Sequence, residues 1–225
     1  MLGSFLDFPR LPAPGFQFIT MASIFRSTLS ELREHVPFTL LGTAAGVGLV
    51  LIMMENGTPR AVSVSLFGAL HPAHVFLSAI VTAGMYRLHG DGKIIPLLLI
   101  GYFGSIGIGS FSDCLIPWIG EILLDLPNRG LHLGFIEKWW LVNPLALAGI
   151  AFACWRPATK FPHAGHVLLS TLASLFHITM ALGSEVDPST TVAIALFLFL
   201  AVWLPCCTSD IVFPLLFRKK DKEFR

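Results

Sequence analysis

Two stretches carry residues able to do chemistry at a repeated spacing. HPAHVFLSAIVT, His71 to Thr82, sets two histidines three residues apart in an apolar run, and HAGHVLLSTLAS, His163 to Ser174, does so again. On a helix, residues three and four apart share a face. His71, His74, Ser78 and Thr82 then form one polar stripe, and His163, His166, Ser170, Ser174 and His177 another. Two imidazoles one turn apart can grip a single cation, and imidazole suits first-row transition metals such as zinc, iron, nickel and manganese. The bland alternative is hydrogen bonding that ties helices together.

A second pair of motifs supplies oxygen. SDCLIP, Ser112 to Pro117, and SDIVFP, Ser209 to Pro214, each place an aspartate four residues before a proline. Proline has no amide hydrogen. An α-helical register therefore frees the carbonyl of Asp113 in one motif and of Asp210 in the other. Each motif offers a carboxylate, a serine hydroxyl and an unpaired backbone oxygen. The expected ligand set is Asp113, Asp210, His71, His74, His163 and His166, with Ser112, Ser209, Ser78, Ser170 and His177 along the path. This nitrogen and oxygen set fits a borderline divalent cation. Cys114, Cys154, Cys206 and Cys207 lie in apolar segments and read as packing.

The elements that must position these groups follow from composition. Of 225 residues, 54% are hydrophobic and 13% charged, and the mean hydropathy is +0.74. Soluble domains carry about 25% charged residues, so lipid is the better solvent. A net charge of +1 argues against nucleic acid as a partner. A spanning helix needs roughly 20 apolar residues. Six spans are expected: Pro37–Met54, Ala61–Tyr86, Ile94–Leu124, Leu141–Trp155, Phe161–Leu182 and Thr190–Phe217. The third and sixth contain prolines and read as broken helices. Ser27–Glu34 reads as an interfacial helix behind a leader.

Basic residues test this count. Arg10, Arg26, Arg33, Arg87, Lys93, Arg156, Lys160, Arg218, Lys219, Lys220, Lys222 and Arg225 fall on one side of the six spans, and Arg60, Arg129 and Lys138 on the other. Basic loops mark the cytoplasmic side. The expected location is therefore the inner (cytoplasmic) membrane, multi-pass, with both termini cytoplasmic.

The motifs also recur in order. An offset of 92 carries His71, His74, Ser78 and Thr82 onto His163, His166, Ser170 and Ser174, and an offset of 97 carries SDCLIP onto SDIVFP. VPFTLLG, Val36 to Gly42, pairs more weakly with NPLALAG, Asn143 to Gly149. Each half then holds three spans. Three is odd, so the second half enters the membrane from the opposite side, as in many transporters. The expected architecture is all-α, a polytopic membrane protein of two inverted three-helix repeats. Residues 1–36 form the leader and interfacial helix, 37–125 the first repeat, 126–140 a linker, 141–217 the second repeat and 218–225 a basic tail.

The remaining features get structural readings. The glycines from Gly101 to Gly109 allow close helix packing. Glu121 reads as a rim residue, with a proton carrier as the alternative, His35, His89 and His132 as solvated, and Trp139 and Trp140 as an interfacial anchor. Glu185 and Asp187 form a small acidic patch where cations gather. Pro72 and Pro162 are positions where the histidine segments unwind, and the two HxxH motifs form either one site or two at different depths.

HVPFTLLG, HPAHVFLSAIVTAGMY, GSIGIGSFSDCLIP, TKFPHAGHVLLSTLASLFH and CCTSDIVFP resemble a bacterial and archaeal family of integral membrane proteins described as heavy-metal exporters or manganese transporters. The resemblance covers most of the chain after residue 30. It implies more spans than six, so the chain is either a short member or works as a homodimer. Motifs and resemblance together lead to an expectation of a secondary transporter, not an enzyme. Its substrate is a divalent metal ion exchanged against protons, and no nucleotide signature is present. The alternatives are an intramembrane metalloenzyme, which lacks a glutamate between the paired histidines, and a haem electron carrier, for which HxxH spacing is unnecessary.

Overall fold

The computed structural model describes the backbone of residues 21–89, 93–157, 160–183 and 187–216. Side chains are described there except at residues 21–32, 34, 35, 38, 89, 160–164, 188, 204 and 206–216. Among the described residues every regular element is helical. These are α1 (Met21–Glu55), α2 (Arg60–His89), α3 (Ile94–Leu123), the short α4 (Gly134–Glu137), α5 (Trp139–Trp155), α6 (Lys160–Ala181) and α7 (Pro188–Leu216).

α2 is the central element and packs most extensively on α6, then on α5 and α3. α1 lies against α7 and α6, and α5 against α3. One close approach is built into the sequence at Gly149 on α5. A Cβ there would lie 2.5 Å from the Phe76 carbonyl oxygen and 2.8 Å from the Ala79 Cβ, so only glycine lets α5 meet the α2 backbone.

The polar stripes of α2 and α6 point inward, and large apolar side chains lie on the outside. His71, His74, Ser78 and Thr82 on α2 and His166, Ser170, Ser174 and His177 on α6 are all buried. Ile95, Leu99, Phe103, Leu147, Leu196 and Leu200 are exposed. α2 over Arg60–Leu88 and α3 over Ile94–Leu123 are long and apolar enough to cross a membrane. The helices at Thr39–Glu55, Trp139–Trp155, Gly165–Ala181 and Ser189–Trp203 are apolar but shorter over their described residues.

Several local expectations change. α1 runs without a break from Met21 through Pro37, so the interfacial helix and the first span are one helix. Pro37 gives up a single bond, to the Arg33 carbonyl, which the rest of the helix tolerates. α2 likewise continues through Pro72, and the HxxH segment is not unwound. α6 is helical through Pro162.

Nor are α3 and α7 broken. α7 is helical through Pro205 and Pro214. α3 changes register instead: residues Phe111–Leu115 form a π-helical turn between α-helical Ile94–Ser110 and Ile116–Leu123. Such turns add one residue to a helix and often mark functional sites.

α3 ends in a left-handed cap. Asp125 has φ +50°, the Leu126 amide bonds the Glu121 carbonyl, and the Asp125 amide bonds that of Ile122. This pair of bonds stops a helix and turns the chain back. The linker then ties itself to the end of α6. The Asn128 amide donates to the Ala181 carbonyl and its side-chain amide to that of Leu182. Arg60 Nε donates to the Met180 carbonyl at 2.7 Å.

Candidate functional site

The π turn decides where the first carboxylate points. The Ile116 amide bonds the Phe111 carbonyl, five residues back. Continued by one residue, that register leaves Pro117 opposite the Ser112 carbonyl rather than that of Asp113. The Ser112 carbonyl is therefore left without an amide partner, and Ser174 Oγ donates to it at 3.0 Å.

Asp113 is fully buried. His71 Nδ1 lies 2.9 Å and His74 Nδ1 2.6 Å from its Oδ2. Its Oδ1 accepts from Ser112 Oγ at 2.8 Å and from Ser170 Oγ at 2.7 Å. An ionised carboxylate only accepts hydrogen bonds, so both imidazoles present Nδ1–H to it. In the neutral rings the lone pair then sits on Nε2. His71 Nε2 is buried with no hydrogen-bond partner. A carboxylate that takes the second ring proton is the usual support of a metal-binding histidine.

One ligand atom from each of His71, His74 and Asp113 lies within 4.8 Å of the other two, close enough to hold one metal ion. His166 joins this layer from α6. Its ring stacks on that of His74 with centroids 5.6 Å apart and planes 15° apart. The two HxxH motifs thus meet through His74 and His166. Ser78 is buried one turn beyond His74 on α2. The side chains of His163, Ser209 and Asp210, with Cys206 and Cys207, lie outside the described residues.

The His71 ring is held from both sides. Phe67 stacks on it at 5.4 Å. On α4, a Cβ at Gly134 would lie 2.7 Å from His71 Nε2. A cavity of about 50 Å³, room for a few waters, is lined by His71, Pro72, His132, Gly134, Glu137 and Lys138 among others.

A second polar group was not expected. Glu121 is 1% exposed, not a rim residue. Its Oε1 lies 2.8 Å from His177 Nδ1, and its Oε2 accepts the Gly130 amide at 3.0 Å. The His132 amide donates to His177 Nε2 at 3.4 Å, and His132 Nδ1 lies 3.2 Å from Glu137 Oε1. His132 is therefore half-buried over His177 rather than simply solvated. The hidden signal was the turn at Asp125, which folds the linker back over Glu121.

The acidic patch is also reinterpreted. Glu185 lies outside the described residues. Asp187 caps α7, its carboxylate accepting the Thr190 amide at 3.0 Å, the Thr190 hydroxyl at 2.7 Å and the Ser189 hydroxyl. The Ser189 hydroxyl first, and then Thr190, hold its carboxyl well below the usual carboxylate range.

No protein-family model, no curated protein and no solved structure matches the chain. The likeness to metal exporters therefore rests on the motifs themselves.

Proposed function

We propose that the protein is a secondary transporter that moves a divalent transition-metal cation across a membrane in exchange for protons. The observation that carries this reading is the buried convergence of His71, His74 and Asp113, with His166 stacked on His74. Ionisable groups buried at mid-helix are costly in a membrane and mark ion or substrate pathways.

Three features support a membrane setting and an inverted repeat. The polar faces of α2 and α6 are buried while large apolar side chains cover the outside, the arrangement suited to lipid. Exchange of α1, α2 and α3 with α5, α6 and α7 maps the helix packing onto itself. Contacts of α1 with α7 become those of α5 with α3, contacts of α1 with α6 become those of α5 with α2, and α2 with α6 maps to itself. His74 and His166, equivalent under the 92-residue offset, touch, as residues near a pseudo-two-fold axis must. Both termini are cytoplasmic in this reading, and the second half contributes His163 and Asp210.

Metal binding at histidine is coupled to proton release. Only a neutral imidazole binds a cation, so cation and protons compete for His71 and His74. The test is flux into proteoliposomes for manganese, zinc, iron(II), cobalt and nickel, with and without a pH gradient, beside Asp113→Asn. Saturable flux of at least one metal, lost in the variant, is expected. Equal flux in wild type and variant, or none for any metal, would overturn the reading.

A further inference from the structure

Glu121 and His177 form a buried acid–base pair that the cation centre does not use. Both are at most 1% exposed. The phenyl ring of Phe67 separates them from the centre, stacked on His71 at 5.4 Å and edge-on to His177 at 5.2 Å. On its other side the pair meets the linker. His132 covers His177 with ring centroids 5.6 Å apart and contacts Glu137, and the side chains of these two are 32% and 49% exposed. Resting on the transport reading above, we propose that the Glu121–His177 pair is the proton-binding site of the exchanger, separate from the cation centre and reached from the aqueous face through His132 and Glu137.

The hydrogen bonds define the empty and loaded states. Nε2 of His177 accepts the His132 amide, so its ring proton sits on Nδ1 and is donated to Glu121 Oε1. The pair then carries one negative charge. A proton delivered by hydronium, which is left as water, forms one new N–H bond at Nε2, giving an imidazolium beside the carboxylate and a neutral pair. That N–H now opposes the His132 N–H, donor against donor. The linker backbone at His132 must move away. His132 lines the cavity that also reaches His71 and Gly134, so proton uptake alters the wall of the route to the cation centre without sharing an atom with it.

The charged and titratable surroundings are few. From α2 come His71, behind Phe67, and Arg60, which is engaged with the Met180 carbonyl. From the linker come His132, Glu137 and Lys138, and from α3 the exposed Asp125, paired with Arg129 at 3.0 Å. Asp113 lies two turns back along α3. From the described part of α7, Phe197 packs at Gly120 and brings no charge.

The test measures proton movement per metal ion in proteoliposomes loaded with a pH dye, using whichever of the five metals the wild type carries. Variants are Glu121→Gln, His177→Gln and the acid-preserving Glu121→Asp. Metal binding by titration calorimetry reports the state of the cation centre. Glu121→Gln and His177→Gln should bind metal as wild type does and still exchange metal for metal. Their metal-driven proton movement should fall to that of protein-free vesicles, and their flux should lose its pH dependence. Glu121→Asp should retain both. If Glu121→Gln does not accumulate, His177→Gln carries the test. Wild-type proton movement and pH profile in His177→Gln would overturn the proposal. Wild-type metal flux without proton movement would overturn it while sparing metal transport. Absence of any metal flux would remove both.

Discussion

Replacing Gly134 with alanine should displace His71. The added Cβ would overlap His71 Cδ2 and lie 2.7 Å from Nε2, where ordinary contact begins at 3.4 Å, so the ring or α4 must give by more than about 0.7 Å. The ring has little room, since Phe67 stacks on it and Nδ1 is held 2.9 Å from Asp113. Overpacking of this kind costs about 1–3 kcal/mol. Loss of ring orientation at a metal-binding histidine weakens the site roughly 10–100-fold, equivalent to about 1.4–2.8 kcal/mol of binding. The assay is calorimetric titration of purified protein in detergent with zinc or manganese, with thermal unfolding as the folding control. A folded Gly134→Ala protein whose metal affinity stays within about twofold of wild type would refute the argument that α4 positions His71.

Two further substitutions probe the supports of the site. Ser174→Ala should orphan the buried Ser112 carbonyl at a cost of about 1–3 kcal/mol, seen as a lower unfolding midpoint; an unchanged midpoint would mean the π turn needs no hydroxyl. Asp187→Asn should weaken the cap of α7. The folded-state carboxyl of Asp187 is depressed, so its stabilisation is present above the unfolded value of about 3.9 and is lost as pH falls through the lower folded value. The protection of the Thr190 amide, its exchange relative to the intrinsic rate at each pH, should fall on acidification in wild type and be lower and flat with pH in the variant. The same pH response in both proteins would contradict the capping role.

The readable part of this chain was periodic. The spacing of His71, His74, Ser78 and Thr82 placed them on one face, and that face is buried against the matching face of α6. Asp113 joins His71 and His74 as the motifs suggested. What could not be read was register and return. No motif in the sequence announces the π turn at Phe111–Leu115, which leaves the Ser112 carbonyl without an amide partner. Glu121 looked peripheral because it ends an apolar helix. Its burial follows from a left-handed aspartate at Asp125, a conformation usually signalled by glycine. The prolines misled in the other direction: Pro37, Pro72, Pro205 and Pro214 all sit within continuous helices. Neighbouring helices can make up for a missing amide bond.

X-ray absorption at the edge of the bound metal, with metal content per chain measured on the same sample, asks whether His71, His74 and Asp113 hold a metal ion. One ion per chain with scattering from at least two imidazoles, lost in His71→Ala/His74→Ala, is the predicted result. A bound metal without imidazole scattering, or equal metal content in wild type and the double variant, would contradict it.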